Sequence, residues 1–154
     1  MTLTRGDLAP DFELTDQEGR AWKLSELKGQ KVILYFYPAD DTPGCTKEAC
    51  DFRDTQQEWR DKGFTVLGVS PQGLRSKQAF ADKYDLNFPL LADEDRSVEQ
   101  AYGAVLPQQV DFGDIPLTTS RSTFVIDEEG RIEDAMYGVS SRGHVASLRE
   151  KFDL

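Results

Sequence analysis

The chain has 154 residues, 38% hydrophobic and 10% aromatic, which suits one compact domain over 1–154 and is too short for two. Eighteen basic residues against 28 acidic ones leave a net charge of −10, which repels phosphate backbones and anionic bilayers, so neither nucleic acid nor membrane is an expected partner. No apolar run approaches the roughly 18 residues that span a bilayer, and Met1 to Asp7 lack the apolar stretch of a signal peptide, so a cytoplasmic location is expected.

In chain order, Asp11–Leu14 and Ala21–Leu24 alternate around the turn residues Asp16–Gly19 and predict an N-terminal β-hairpin. Ser25 is placed to cap a single helical turn ending at Gly29. Val32–Tyr37 is a continuous β-branched and aromatic run, the pattern of a central strand buried on both faces. A helix is predicted from Pro43 to Lys62, then a second buried strand over Phe64–Val69. Leu74–Tyr84 reads as a helix, Pro89–Ala92 as a short strand and Ser97–Tyr102 as a short helix. Gly103–Ser120, punctuated by Pro107, Gly113 and Pro116, reads as a long loop. Ser122–Ile126 and Ile132–Tyr137 form a hairpin around Asp127–Gly130. Val145, Leu148 and Phe152 share one face of a closing helix. Strands alternating with helices, plus a late hairpin, predict an α/β domain with a mixed sheet.

Two cysteines and one histidine are too few for a zinc site of about four Cys and His ligands, and no carboxylate spacing completes a set, so no metal is expected. A structural disulfide is disfavoured in a reducing cytosol. The cysteines lie on the predicted Pro43 helix. Thr42 suits its N-cap and Pro43 its first position. Cys45 then falls in the first turn, where free N–H groups and the positive dipole end favour a thiolate. Asp40, Asp41 and Glu48 oppose that by like charge, so an activated thiol needs a cation from elsewhere in the chain. At roughly 100° per residue, Ala49, Phe52 and Trp59 share the face of Cys45, whereas Cys50 lies about 140° away. Ideal helix geometry separates the two Cα atoms by about 8.6 Å. A disulfide needs less than about 7 Å, so the pair can bond only if the helix unwinds. Spacing and capping alone leave two inert, small hydrophobic cysteines as an open alternative.

The segment Tyr35-Phe36-Tyr37-Pro38-Ala39-Asp40-Asp41-Thr42-Pro43-Gly44-Cys45-Thr46-Lys47-Glu48-Ala49-Cys50 resembles the peroxiredoxin active site, with Pro38, Thr42 and Cys45 in its Pro-x-x-x-Thr-x-x-Cys pattern. A second cysteine five residues on resembles the bacterioferritin comigratory protein, or PrxQ, group. The similarity continues through Gly6–Phe12, Phe88–Asp93 and Arg121–Asp127, and so covers most of the chain. It implies a thioredoxin-like fold, a central mixed sheet with helices on both faces. It also implies a thiol-dependent peroxidase that reduces hydrogen peroxide and organic hydroperoxides without a cofactor. In that reading Cys45 is the peroxidatic cysteine, Cys50 the resolving one, and Arg121 the cation that reaches the peroxidatic sulfur. Thr42 holds the peroxide, Pro38 shields the thiolate, and Gly44 supports the site. Glu48 either holds Arg121 or is a solvated helix charge. An intramolecular disulfide, recycled by thioredoxin or a similar dithiol, is implied. With no cysteine near the C-terminus for an intersubunit bond, a monomer is expected.

His144 has no motif around it and is expected to face solvent, and Trp59 is expected in the core. The segment Ala104–Ser120 departs from the resemblance: it lacks the tryptophan and basic residues associated with this region and is rich in Gln, Pro and Asp. Two rival readings stand beside the peroxidase. A thiol–disulfide oxidoreductase would place its cysteines at C-x-x-C, which this chain does not. A noncatalytic redox sensor or holdase would use the same disulfide to unwind the helix.

Overall fold

The computed structural model describes residues 2–154. Two short antiparallel strands, β1 (Glu13–Thr15) and β2 (Ala21–Lys23), form the expected hairpin. A 3-10 turn follows at Leu24–Leu27, two residues earlier than a Ser25 cap would place it. The Ser25 N–H donates instead to Asp11 Oδ1 at 2.9 Å.

The central sheet has five strands. β3 (Lys31–Phe36) and β4 (Phe64–Ser70) are parallel, and β5 (Leu90–Ala92) extends them on the β4 side. On the other side of β3, β8 (Ser122–Ile126) and β9 (Ile132–Met136) add two antiparallel strands. The sheet order is β5-β4-β3-β8-β9. The late hairpin is thus what makes the sheet mixed.

Strand alternation splits the core into two layers. Ile33 and Tyr35 face one side, under α1 (Pro43–Asp54), α2 (Gln56–Asp61), α3 (Leu74–Tyr84) and α5 (His144–Lys151), with Phe52, Trp59, Phe80 and Leu148. Val32, Leu34 and Phe36 face the other, under the N-terminal segment and α4 (Ser97–Tyr102), with Phe12, Val98 and Tyr102. Helices therefore cover both faces, which explains why β3 reads as an unbroken apolar run. Trp59 is fully buried, as expected. Among the described residues no helix is long and apolar enough to cross a membrane.

Two predicted elements differ. The Pro43–Lys62 helix is broken at Thr55, whose backbone leaves helical values at φ −117° and ψ 11°. The Thr55 hydroxyl donates to the Asp51 carbonyl at 2.8 Å and accepts from Trp59 Nε1 at 3.0 Å, and such back-bonding bends a helix. The predicted loop 103–120 contains a hairpin, β6 (Val105–Phe112) and β7 (Ile115–Thr119). Gly113, at φ 61°, supplies the left-handed residue its two-residue turn requires. Because β6 is mostly exposed, no alternation of buried residues marked it. The Gly113-Asp114 pair between Phe112 and Ile115 was the available signal.

Candidate active site

β3 ends at Phe36, and the chain crosses the top of the sheet through Pro38–Thr42 into α1. Thr42 is the N-cap residue by position, extended at φ −89° and ψ 156°, and its carbonyl accepts the first helical bond from Thr46 N–H at 2.8 Å. Its side chain does not cap the helix. The hydroxyl donates back to the Ala39 carbonyl at 2.9 Å, which fixes its rotamer.

Cys45 lies in the first turn of α1 and is 2% exposed. Arg121, between β7 and β8, donates from Nη2 to Cys45 Sγ at 3.2 Å and from Nη1 to Glu48 Oε1 at 2.6 Å. The sulfur thus accepts a charge-assisted hydrogen bond, the interaction that grows strongest when negative charge resides on it. Gly44 permits this approach: a Cβ there would stand 2.9 Å from Ser141 Oγ and 3.2 Å from Arg121 Nη2. Pro38 is half-buried at the start of the same loop.

Glu48 is fully buried, which excludes the solvated alternative. Burial pushes its carboxyl up from 4.5 to about 7, partly offset by the Arg121 charge. Burial pulls the Arg121 guanidinium down, but Glu48 and Cys45 together hold it above its ordinary range. The other two carboxylates opposing a thiolate also have cations. Asp40 is paired with buried Lys77, with Nζ 3.4 Å from Oδ1, and Asp41 with Lys83 at 2.9 Å. The single compensating cation the sequence called for is therefore three, one for each acid.

Cys50 is half-buried, and burial pushes its thiol up from the ordinary value. Both cysteines are free and lie on the uninterrupted helix α1, so the separation of about 8.6 Å expected of a helix applies. His144 is the site's correction: it is 8% exposed rather than solvent-facing. Its Nε2 lies 2.8 Å from Thr123 Oγ1, and burial followed by the Arg121 charge lowers its pKa. Residue spacing had no means to find this, because the contact joins a helix start to a strand 21 residues earlier. Tyr35 lies in the same core layer as Cys45. Its buried hydroxyl has no partner among the described residues, and neither has Glu48 Oε2.

A cysteine sulfur held at a helix N-terminus by an arginine, on a thioredoxin-like sheet, defines a thiol-based redox enzyme. The AhpC/TSA family profile matches residues 5–135. Peroxiredoxin Bcp of Bacillus subtilis is 41% identical over 146 residues, covering 95% of this chain and 92% of that one. The solved structure of a Xylella fastidiosa PrxQ mutant superposes with a TM-score of 0.89 at 28% identity, covering 99% of this chain and 96% of that one. A Xanthomonas campestris bacterioferritin comigratory protein, described for its alkyl peroxide reduction activity, gives 0.83 at 29% identity over 92% and 90%. The chain belongs to the AhpC/TSA family and is a peroxiredoxin of the Bcp, or PrxQ, type.

Proposed function

We propose that this peroxiredoxin reduces hydrogen peroxide and organic hydroperoxides through a two-cysteine cycle contained in one chain. The observation that carries the reading is the Arg121 Nη2–Cys45 Sγ hydrogen bond of 3.2 Å, at a helix start that also carries Cys50. The alkyl peroxide activity of the Xanthomonas relative supports the organic substrates.

Cys45 thiolate attacks one peroxide oxygen, the O–O bond breaks, and the leaving hydroxide or alkoxide takes a proton. Arg121 and the first N–H groups of α1 stabilise charge as it moves onto the O–O unit. The Thr42 hydroxyl already donates to Ala39 O, so its oxygen is free to accept the peroxide O–H. Pro38 limits water at the sulfur, Gly44 keeps the approach open, and Glu48 orients Arg121. Cys45 becomes a sulfenic acid.

Cys50 thiol then condenses with that sulfenic acid, releasing water and forming the Cys45–Cys50 disulfide. The helical separation requires the first turns of α1 to unwind for this step. A dithiol such as thioredoxin exchanges with the disulfide, restoring both thiols and leaving oxidised itself. The enzyme acts as a one-domain monomer in the cytoplasm and needs no cofactor.

The test is a thiol count on reduced protein after one equivalent of hydrogen peroxide, beside Cys50→Ser. Loss of both thiols in the parent, with a trappable sulfenic acid on Cys45 in the variant, is expected. Survival of both thiols over minutes overturns the assignment. Oxidation without repeated turnover on a supplied dithiol turns it into a sensor.

A further inference from the structure

A buried ion pair joins α3 to the loop before α1, and its place in the fold gives it a second part beyond balancing charge near the thiolate. Lys77 is wholly buried in the middle of that helix, and its ammonium lies 3.4 Å from both carboxylate oxygens of Asp40 and 3.4 Å from Tyr37 Oη. It also donates to Ser70 Oγ, and it sits 5.2 Å from the centroid of the Tyr37 ring. Asp40, in turn, accepts from Tyr37 Oη at 2.6 Å and from Ser76 Oγ at 2.7 Å. Burying a charge is costly unless it is paired and fully hydrogen-bonded, and here both partners are.

The position of this pair matters. Asp40 stands between Ala39, whose carbonyl holds the Thr42 hydroxyl, and Thr42 itself. The next residue, Asp41, is left-handed at φ 59° and is also tied to α3, by Lys83 at 2.9 Å and Tyr84 Oη at 2.7 Å. Both aspartates of the loop are thus fastened to one helix. The first turn of α1 has a different attachment, through Cys45 and Arg121, while only the far end of α1 is tied to α3, by Arg53 Nη1 on the Tyr84 carbonyl at 2.6 Å.

We propose that Lys77 is a positioning residue: through Asp40 it anchors the Pro38–Thr42 loop to α3, making that loop the stationary side of the hinge about which α1 unwinds. This rests on the two-cysteine cycle proposed above. The anchor serves the two half-reactions in opposite ways. In the reduced enzyme it keeps the Thr42 hydroxyl and the start of α1 in register for peroxide. In the oxidised enzyme it resists unwinding, because the first turn of α1 must pull away from a loop that does not follow. Weakening the anchor therefore slows sulfenic acid formation and speeds disulfide formation. A general loss of stability away from the loop moves neither rate in this pattern.

The test measures the two steps separately. Sulfenic acid formation is followed by rapid mixing with hydrogen peroxide in a Cys50→Ser background, and disulfide formation in the chain that retains Cys50. Lys77→Met is expected to slow the first step roughly tenfold to a hundredfold, the scale of a misplaced reacting group, and to accelerate the second. Ser76→Ala, which removes one bond to Asp40 and keeps the buried charges paired, moves both rates in the same directions by less and serves if Lys77→Met does not fold. Phe64→Leu, at the opposite end of the sheet, is the stability control and leaves both rates in place. Unchanged rates in the anchor variants, a fall in both, or the same pattern in Phe64→Leu overturns the proposal. A parent that forms no disulfide removes the two-cysteine cycle and the hinge with it. A parent that forms the disulfide while the anchor variants behave like it removes only the hinge.

Discussion

Glu48 Oε1 and Arg121 Nη1 lie 2.6 Å apart, and the carboxylate making that contact is fully buried. This pair joins α1 to the strand side of the site and aims the other arm of the guanidinium at Cys45. Arg121→Met removes the only N–H donor on the sulfur among the described residues. Loss of a donor of this kind costs roughly 10²–10³ in rate, so sulfenic acid formation is expected to fall by that factor, measured by rapid mixing at fixed pH. Thermal stability is to be recorded in parallel, and Arg121→Met with Glu48→Gln, which leaves no buried carboxylate without its cation, is expected to show the same fall in rate.

Glu48 also predicts a pH dependence of stability. Its carboxyl is raised from 4.5 to about 7 by burial, so the folded chain holds the proton more tightly than the unfolded one. The resulting stabilisation is fully present below pH 4.5 and is lost as pH rises through about 7. Glu48→Gln removes this dependence. Between about pH 5 and pH 8 the parent is expected to lose stability relative to the variant, in thermal melts of the reduced proteins. Parallel curves would show that the carboxyl is not raised.

His144 gives the opposite sign. Its pKa is lowered from 6.5 by burial and by Arg121, so its contribution is present above that value and lost as pH falls through the depressed one. As the only histidine in the chain, it yields one imidazole titration by NMR, and the midpoint is expected below 6.5. His144→Gln is expected to flatten the acid side of the stability profile. A midpoint at or above 6.5 would contradict the burial.

Thr42 separates its backbone and side-chain roles. Because the hydroxyl bonds Ala39 O rather than the helix, Thr42→Val keeps the extended N-cap backbone while removing the group proposed to meet peroxide. The expected loss in peroxide rate is about 10²-fold, with Thr42→Ser close to the parent. Equal rates for the serine and valine variants would assign Thr42 to shape alone.

Much of the fold is legible in the sequence because its signals are local. α3 and α4 occupy the predicted Leu74–Tyr84 and Ser97–Tyr102, and the buried β3 is marked by its apolar run. Cys45 and its arginine are legible through their motif. What escaped depends on contacts between distant residues. Asp40 and Lys77 are 37 positions apart, and nothing periodic announces a buried charge. The one trace was that Lys77 shares a helical face with Phe80 and Ala81, both buried. The burial of His144 is not legible because its partner lies on another element. The sequence predicts one helix from Pro43 to Lys62, and a single hydroxyl, that of Thr55, decides its break.

That break bears on the proposed two-cysteine cycle. In the proposed cycle, unwinding that starts at Pro43 meets the end of the α1 hydrogen-bond ladder at Thr55, short of α2 with Trp59 in the core. The segment to be rebuilt after each reduction is then at most the 12 residues of α1. Helix–coil relaxation of such a length takes on the order of a microsecond. In the proposed cycle, re-formation is therefore a local event of one short segment, with the core around Trp59 left in place.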